Sequence, residues 1–359
     1  MTASVVVVGG GYGGTLAAKA LDEVADVVLV EPRDAFVHNV AALRGLVDGQ
    51  WADRLFLPYD RLLTRGRVVR DRAVRVDGDG VTLGSGERID ADYTVLATGS
   101  AYPFPAKFAD EDSADAKAAL GAARAELEKA DRVLLLGAGP VGLELAGEIT
   151  AAWPAKAVTI VDPAGDILAG NFPDELRSEL RRQLDGLGVE LVLGARLDAE
   201  PPTDAGRVGE FTVAATGGRA VTADIWFRCF GVVPASDYLS DALAAARRSD
   251  GHIEVTPHLR VAGQDRVFAI GDVTALPEAK TAKAAGEHAE VVAATITALI
   301  GGDPEPAGYT PGAPAILLPL GPAGGAGYAA EYGLLDAATT ARFKGADLRV
   351  AVTAEQLGR

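Results

Sequence analysis

Cysteine is almost absent from this sequence. Of 359 residues only one, Cys229, is a cysteine. A single thiol forms no internal disulfide, supplies no cysteine cluster for a metal and provides no redox-active cysteine pair. Because Cys229 lies in an apolar segment, Ile225 to Val233, we interpret it as a small buried hydrophobe. A reaction that needs a dithiol in the chain is therefore excluded.

Long apolar runs and an excess of basic residues are also lacking. No apolar run approaches the roughly 20 residues of a membrane helix, and no basic stretch leads into an apolar one as in a signal peptide. Asp and Glu number 50 against 34 Lys and Arg, a formal net charge of −16. This balance argues against a nucleic-acid partner, because phosphate binding needs basic residues. With Thr2 as the second residue, the N-myristoylation motif is missing too. We predict a cytoplasmic protein without an integral membrane segment.

What is present begins with a valine strand that ends in glycines. Val5 to Val8 predicts a buried parallel strand, and an Ala/Leu-rich helix follows. Between them Gly9, Gly11 and Gly14 form G-x-G-x-x-G, and Glu31 closes the next apolar run. In this pattern the glycines permit a tight turn, close approach of a pyrophosphate and close helix packing, and the acid accepts from ribose hydroxyls. The N–H groups of the helix start bind the phosphates. We predict a dinucleotide site; the alternative is a Gly-rich turn without a ligand.

The same pattern occurs a second time. Val133 to Leu136 predicts a strand, Gly137, Gly139 and Gly142 repeat the glycine spacing, and the next strand ends in Asp162. Two fingerprints in one chain predict two dinucleotide sites. A hydride-transfer enzyme needs such a pair when one nucleotide is a bound flavin and the other a diffusing nicotinamide.

Asp162 bears on the choice of nicotinamide. A carboxylate at this point accepts a hydrogen bond from the 2′-hydroxyl of NADH and repels the 2′-phosphate of NADPH. The nearby basic residues, Lys156 and Arg177, do not directly follow the strand. We therefore expect NADH, with NADPH disfavoured. In the alternative, Asp162 caps a turn before Pro163.

Two glutamates share one face of the helix after the second fingerprint, because Glu144 and Glu148 are four residues apart. Glu144 follows Gly142 by two residues and so lies near the helix start, where it would position the nicotinamide carboxamide or an acceptor. The alternative is that it only complements the helix dipole. We interpret Glu148 as structural.

A third motif, Gly271-Asp272, ends the predicted strand Arg266 to Ile270. Ligands bind at the C-terminal ends of strands in open α/β sheets, so Asp272 would bond the ribityl and phosphate region of FAD. An ordinary strand-end turn is the alternative. We place Lys280 in the first turn of the helix that follows, whose N-terminus would stabilise charge on the reduced ring. The alternative for Lys280 is a solvated surface lysine. His288 is interpreted as helix packing.

Shorter patterns complete the predicted organisation. Ala97-Thr98-Gly99-Ser100 ends the last strand of the first unit, and hairpin strands are predicted at residues 73–76, 81–83, 88–89, 209–214 and 219–222. We predict an α/β fold with two Rossmann-like dinucleotide-binding domains, β-hairpin insertions and a small C-terminal α+β region. The predicted limits are 1–109 with 235–309 for the FAD domain, 110–234 for the NAD(P)H domain and 310–359 for the C-terminal region. That region would cover the flavin, contact the acceptor or form a subunit interface in a homodimer.

The whole chain resembles the ferroptosis suppressor protein, or apoptosis-inducing factor-like, group of FAD-dependent NAD(P)H:quinone oxidoreductases, relatives of the type II NADH dehydrogenases. The resemblance extends beyond the glycines to residues 38–44, 97–100, 103–108 and 142–144, to Lys280 with His288, and to Asp347-Leu348. Disulfide reductases with a similar opening carry a redox-active cysteine pair in the region of residues 34–71. This chain has none there.

The resemblance implies particular contacts. For FAD these are Gly9, Gly11, Gly14, Glu31, Arg44, Val74 through its backbone, Ala97, Thr98, Gly99 and Asp272. For the nicotinamide nucleotide they are Gly137, Gly139 and Gly142, next to Asp162, which the second fingerprint itself predicts. Glu144 and Lys280 match acidic and basic residues that lie beside the reaction centre in the family.

Residues and resemblance together predict a two-step reaction, from NADH to FAD and then directly to a quinone or another small aromatic acceptor. Eukaryotic members of the family carry an N-terminal lipid anchor. The missing anchor motif favours a soluble quinone or small aromatic acceptor over a membrane quinone. Two alternatives stay open: a reductase of a ferredoxin-like protein, and a slow redox-sensing interaction protein whose oligomeric state NADH would switch.

Overall fold

A computed structural model describes residues 2–359, which fold as α/β throughout. The elements up to residue 101 are β1 (Ser4–Val8), α1 (Tyr12–Leu21), β2 (Asp26–Val30), β3 (Ala35–Val37), α2 (Ala42–Val47), β4 (Phe56–Pro58), β5 (Arg67–Val69), β6 (Ala73–Asp77), β7 (Gly80–Leu83), β8 (Arg88–Asp90), β9 (Tyr93–Leu96) and β10 (Ser100–Ala101). Most of them form one parallel sheet or pack against it.

The middle of the chain repeats this plan. Its elements are α3 (Ser113–Lys129), β11 (Arg132–Leu136), α4 (Pro140–Ala152), β12 (Ala157–Asp162), α5 (Asp174–Gly186), β13 (Glu190–Leu193), β14 (Phe211–Ala215), β15 (Arg219–Ala223), β16 (Ile225–Arg228) and β17 (Val233–Pro234). The remaining elements are α6 (Asp241–Ala244), β18 (Val267–Ala269), α7 (Ala282–Gly301), β19 (Ala315–Leu320), β20 (Gly324–Ala329), β21 (Gly333–Leu335), α8 (Ala337–Thr340), a π-helical turn (Ala341–Gly345) and α9 (Val350–Gln356).

Two parallel sheets organise these elements. The first has the order β18-β9-β1-β2-β5 and the second β13-β12-β11-β16, and every pairing within them is parallel. In both sheets the strand order reverses beside the first strand, between β1 and β9 and between β11 and β16. This is the point at which open α/β sheets bind nucleotides. The predicted fold class is confirmed; the predicted domain limits stay a prediction.

Both faces of each sheet are covered. Along β1, Val5 and Val7 pack under α1 and α7, whereas Val6 and Val8 face the antiparallel ribbon β6-β7-β8. This alternation follows from the two-residue period of a strand. In the second sheet Leu134 faces the hairpin β14-β15, and its neighbours on the strand pack against helices. The hairpins predicted from the sequence therefore cover one face of each sheet.

Two local features differ from the sequence-based expectation. The sequence pattern from residue 34 to 71 indicates loop and helix, but this stretch contains β3, β4 and β5, and β5 extends the first sheet. Strands of three residues are too short to show a periodic pattern. Helix α7 begins at Ala282, because the Thr281 side chain accepts from Ala284 N and so caps the helix. Lys280 is consequently outside the first turn, contrary to the prediction.

The C-terminal section forms an antiparallel sheet, β19-β20-β21, that packs against α4 and α5. Its approach to α4 is close: a Cβ added to Gly147 would lie 2.4 Å from Leu320 Cα. None of the helices between residues 2 and 359 combines the length and hydropathy that crossing a bilayer requires.

Candidate active site

The first glycine loop, Gly9 to Gly14, lies between the ends of β1 and β9. Gly9 has a φ of +103°, and a Cβ there would lie 2.5 Å from Ala97 O. A Cβ on Gly14 would lie 1.8 Å from Gly9 O, whereas one on Gly11 would have no neighbour within 4 Å. Two glycines therefore serve close backbone packing, and the third leaves open space. A pyrophosphate needs this combination.

The second glycine loop, Gly137 to Gly142, has the same geometry. Gly137 has a φ of +115° and would place a Cβ 2.8 Å from Cys229 O. A Cβ on Gly142 would lie 1.9 Å from Gly137 O, and one on Gly139 would again meet nothing within 4 Å. Both loops thus fit a dinucleotide on the evidence of their own backbones. The interpretation of Cys229 as buried is confirmed, and burial raises the pKa of its thiol to about 12.

The acids after the two fingerprints bond the loops themselves. Glu31 accepts from Gly10 N at 2.7 Å and from Arg33 N at 3.0 Å. Asp162 accepts from Ala138 N at 2.6 Å, and its other oxygen accepts from Ala164 N at 2.7 Å. Each carboxylate therefore holds the middle residue of its loop, which is the residue between the first two glycines, Gly10 or Ala138. The predicted bonds to ribose hydroxyls stay predictions.

The carbonyl of the same middle residue is bonded in both loops, but by different groups. The Tyr59 hydroxyl donates to Gly10 O at 2.9 Å, and Leu168 N donates to Ala138 O at 2.9 Å. Tyr59 is buried in the apolar core beside α1. No motif pointed to Tyr59 or Leu168, since each reaches its loop through tertiary packing.

Asp272 lies in a polar cluster at the end of the first sheet. Its Oδ2 accepts from Ser100 Oγ at 2.7 Å and from Lys107 Nζ at 3.1 Å. Thr98, which precedes the cluster, donates to Ala235 O at 2.6 Å, next to the turn at Gly99 with its φ of +65°. The structure therefore brings together Thr98, Gly99 and Asp272, all predicted flavin contacts. Lys107 joins this cluster from residues 103–108, one of the segments that carry the family resemblance.

Glu144 faces the C-terminal section and pairs with a residue that the sequence analysis missed. Lys344, in the π-helical turn, donates to Glu144 Oε1 at 2.7 Å and to Leu317 O at 3.1 Å. The side chains of Glu144 and Lys344 are 14% and 18% exposed. Burial raises the pKa of Glu144, and the neighbouring Lys344 ammonium opposes that rise. A titratable carboxyl that solvent hardly reaches is a frequent feature of reaction centres.

Glu148, one turn further along α4, forms a buried ion pair with Arg44. The guanidinium donates to the carboxylate twice, at 2.9 and 2.7 Å, and a third nitrogen donates to Ala346 O at 3.1 Å. Removing one partner of such a pair costs about 3–5 kcal/mol, because the other charge stays buried. Arg44 therefore ties α2, α4 and the C-terminal section together. Its predicted flavin contact is untested, and the structure shows these protein partners instead.

His38 makes a second connection to the C-terminal section. Its Nε2 lies 2.8 Å from Leu348 O and its Nδ1 lies 3.1 Å from the Tyr12 hydroxyl. A carbonyl only accepts, so Nε2 carries the proton and Nδ1 accepts from Tyr12. Leu348 and Arg349 have φ values of +49° and +62°, conformations that cost non-glycine residues about 1–3 kcal/mol each. The bond to His38 helps to hold this strained turn in place.

Lys280 does not meet Glu144 in this structure. Its Nζ donates to Thr274 O at 2.8 Å and to Leu276 O at 2.9 Å, and burial lowers its pKa. His288, expected to serve only packing, accepts at Nδ1 from Gly271 N at 2.9 Å, and its Nε2 lies 2.8 Å from Glu278 Oε1. Both residues therefore shape the backbone around the Gly-Asp motif, and burial lowers the pKa of His288 as well.

Val74 lies at a bulge in the antiparallel ribbon β6-β7-β8. The register of β6 with β7 shifts between Ala73 and Arg75, so Val74 has no residue directly opposite it, and the residue is 49% exposed. A bulged residue keeps backbone groups outside the regular ladder. This position suits the predicted backbone contact to an adenine, which stays a prediction.

Comparisons with known proteins agree with this geometry. Residues 3–289 match the family model described as pyridine nucleotide-disulphide oxidoreductase. The chain is 34% identical over 336 residues to ferroptosis suppressor protein 1 of Taeniopygia guttata, covering 91% of this chain and 89% of the relative. It is 28% identical over 340 residues to apoptosis-inducing factor homolog B of Dictyostelium discoideum, covering 89% and 88%. Among solved structures, it resembles the ferredoxin reductase for the CYP199A2 system from Rhodopseudomonas palustris, with a TM-score of 0.67, 22% identity and coverage of 86% and 78%.

Proposed function

The chain belongs to the pyridine nucleotide-disulphide oxidoreductase family, in the group of ferroptosis suppressor protein 1 and the apoptosis-inducing factor homologues, and we propose that it carries electrons from NADH through FAD to a quinone or quinone-like small molecule. It is an oxidoreductase that uses a pyridine nucleotide and FAD. The choice of NADH and the identity of the acceptor are the parts that we propose.

One observation carries the proposal: the chain builds two glycine loops of equal geometry, each open at its second glycine. We assign the Gly9 loop to FAD, because Asp272, Ser100 and Lys107 lie at the end of the same sheet. We assign the Gly137 loop to NADH, because Asp162 follows it and a carboxylate disfavours a 2′-phosphate. FAD, when bound, accepts a hydride and passes electrons on singly or in pairs.

The remaining tasks fall to residues of the chain. Backbone N–H groups at the starts of α1 and α4 bind the phosphates of the two nucleotides. The cluster of Lys107, Ser100 and Asp272 orients the flavin end of the first nucleotide. Reduction of a quinone by NADH consumes one proton besides the hydride, since NADH, a proton and the quinone give NAD⁺ and the quinol. We assign the supply of that proton to Lys344 Nζ, which is held between Glu144 Oε1 and Leu317 O.

The acceptor is proposed to react at the flavin without a relay. With one buried cysteine the chain has no dithiol to accept electrons, although the family name refers to disulphide chemistry. Three of the contacts that close the site, those of Glu144, Arg44 and His38, lead to the C-terminal section. We therefore assign that section to the wall of the acceptor site.

An acceptor screen tests the proposal. The purified protein should be yellow and should oxidise NADH with water-soluble quinones faster than with a ferredoxin-like protein at equal concentration. A colourless protein that stays colourless after incubation with FAD contradicts the assignment of the first loop. Fast reduction of the ferredoxin-like protein with inert quinones would contradict the assignment of the acceptor.

A further inference from the structure

Beyond the carboxyl end of β12, where the ribose of the second nucleotide is assigned, lies a loop that carries two acids and faces two arginines. The inference drawn from it rests on the proposed binding of a nicotinamide nucleotide at the Gly137 loop. Asp162, the acid predicted to select NADH, already uses both oxygens to bond Ala138 N and Ala164 N. The backbone therefore fixes the carboxylate, which keeps its negative charge, and the charged groups around it also bear on how strongly a 2′-phosphate is repelled.

The first arginine, Arg177, serves the loop itself. Its Nε lies 3.2 Å from both Ile167 O and Leu168 O, one terminal nitrogen donates to Phe172 O at 2.6 Å, and the other donates to Gly170 O at 2.8 Å. All three nitrogens are thus held by carbonyls. A guanidinium in this state shapes the loop and has little capacity left for a phosphate.

The second arginine, Arg181, is held differently. One terminal nitrogen donates to Asp166 Oδ1 at 2.7 Å, and the two side chains are 39% and 38% exposed. Asp166 Oδ1 also accepts from Ile167 N at 2.7 Å, which fixes the carboxylate in the loop. The pair is therefore reachable by a ligand, and Asp166 neutralises the guanidinium.

We propose that Asp166 is a specificity-determining residue for the nicotinamide nucleotide. A 2′-phosphate needs a cation with free donors, and a guanidinium is the side chain that binds phosphate best through two parallel hydrogen bonds. Asp166 neutralises Arg181 and adds a second negative charge four residues after Asp162. NADH, with a neutral 2′-hydroxyl, is not repelled by either charge. The loop therefore selects NADH, because the guanidinium of Arg181 is already neutralised and cannot compensate the charge of the 2′-phosphate of NADPH.

The isosteric variant Asp166→Asn isolates the charge. Both hydrogen bonds of Asp166 end on Oδ1, and asparagine keeps an acceptor oxygen at that position. The loop conformation is thus preserved while the guanidinium of Arg181 loses its counter-charge. Glu179→Gln is the matched control. Glu179 lies on α5, the helix that carries Arg181, and its substitution also removes one negative charge, but the arginine that loses its counter-charge is Arg182.

The test is calorimetric titration of the purified protein with NAD⁺ and with NADP⁺, neither of which can reduce the flavin. Asp166→Asn should lower the ratio of the NADP⁺ to the NAD⁺ dissociation constant about tenfold. Glu179→Gln should leave it unchanged. Asp166→Asn combined with Arg181→Gln should return the ratio to that of the wild type, and Arg181→Gln alone should raise it, because Asp166 then repels the phosphate without compensation.

Each other result overturns the inference. An unchanged ratio in Asp166→Asn, an equal fall in Glu179→Gln, or a fall in Arg181→Gln shows that the pair does not read the 2′ position. The single variant Arg181→Gln keeps the test decisive if Asp166→Asn fails to fold. A wild-type protein that binds neither dinucleotide contradicts the proposed function itself, whereas one that binds NAD⁺ with an unresponsive ratio contradicts only this inference.

Discussion

The two glycine loops use the same hydrogen-bond scheme with different chemical groups. In each, a carboxylate accepts from the N–H of the middle residue, and a donor reaches the carbonyl of that residue. In the first loop the donor is the hydroxyl of the buried Tyr59; in the second it is the backbone of Leu168, in an irregular loop. The middle residue is accordingly Gly10 in one case, where a Cβ would lie 2.6 Å from the Tyr59 hydroxyl, and Ala138 in the other.

The helices that follow the loops differ more. Two residues after the third glycine, α1 carries Leu16 and α4 carries Glu144. Leu16 packs towards α7 in an apolar core, whereas Glu144 faces Lys344 of the C-terminal section. At this position the first unit therefore buries an apolar side chain, whereas its repeat presents an ion pair. A resident cofactor suits the first and an exchanging substrate the second.

The largest expected effect comes from the third glycines. Gly14→Ala would place a Cβ 1.8 Å from Gly9 O, and Gly142→Ala would place one 1.9 Å from Gly137 O. We expect each to lower the free energy of unfolding by about 3 kcal/mol, as overpacking of a tight core contact does. Thermal or urea unfolding measures this. If the first variant were much less destabilised than the second, the two loops would not be structurally equivalent.

The next effect concerns the charged face that only α4 has. Lys344→Met removes the ammonium that opposes the burial-raised pKa of Glu144, so this pKa should rise further. The assigned proton donor is then missing, so turnover at neutral pH should fall on the order of a hundredfold. The acid that remains is the neutral form of Glu144, and the residual kcat should decrease as the pH rises through its raised pKa. Wild-type turnover would show that Lys344 does not supply the proton; Lys117→Met, on the surface of α3, is the control.

A crossed pair of variants separates the two loops by ligand. The Cβ atoms of Gly11→Ala and Gly139→Ala project into open space, so both proteins should fold normally. The first should lose bound flavin, and the second should stay yellow while its KM for NADH rises about tenfold, which corresponds to about 1.4 kcal/mol. Absorbance spectra and steady-state kinetics read the two effects. The opposite pattern would exchange the assignments of the loops.

The smallest expected effect concerns the hydrogen bond from the Tyr59 hydroxyl to Gly10 O, which only the first loop has. Tyr59→Phe leaves Gly10 O buried without its donor, and a lost bond of this kind costs about 1–2 kcal/mol. Flavin should dissociate several times faster on dilution, with the affinity for NAD⁺ unchanged. Tyr328→Phe in the C-terminal sheet provides the comparison. Equal flavin retention in both variants would show that Tyr59 does not support the loop.

The features that sequence reasoning could reach are those that neighbouring residues encode. The strand, the glycine spacing and the helix of each fingerprint lie within about 30 residues, so the fold class and both loops were predictable. Tyr59 lies 49 residues from Gly10, and Lys344 lies 200 residues from Glu144. Neither belongs to a repeating pattern, because each is brought to its partner by tertiary packing alone. The predicted start of α7 was wrong for a local reason: the side chain of Thr281 caps the helix, so the helix begins only at Ala282.

Glu144 and Lys344 are 200 residues apart, so they are synthesised at different times. A ribosome completes both glycine loops well before it reaches the lysine, since all of their residues precede it. The contacts of Glu144, Arg44 and His38 with the C-terminal section are therefore among the last that the growing chain can form.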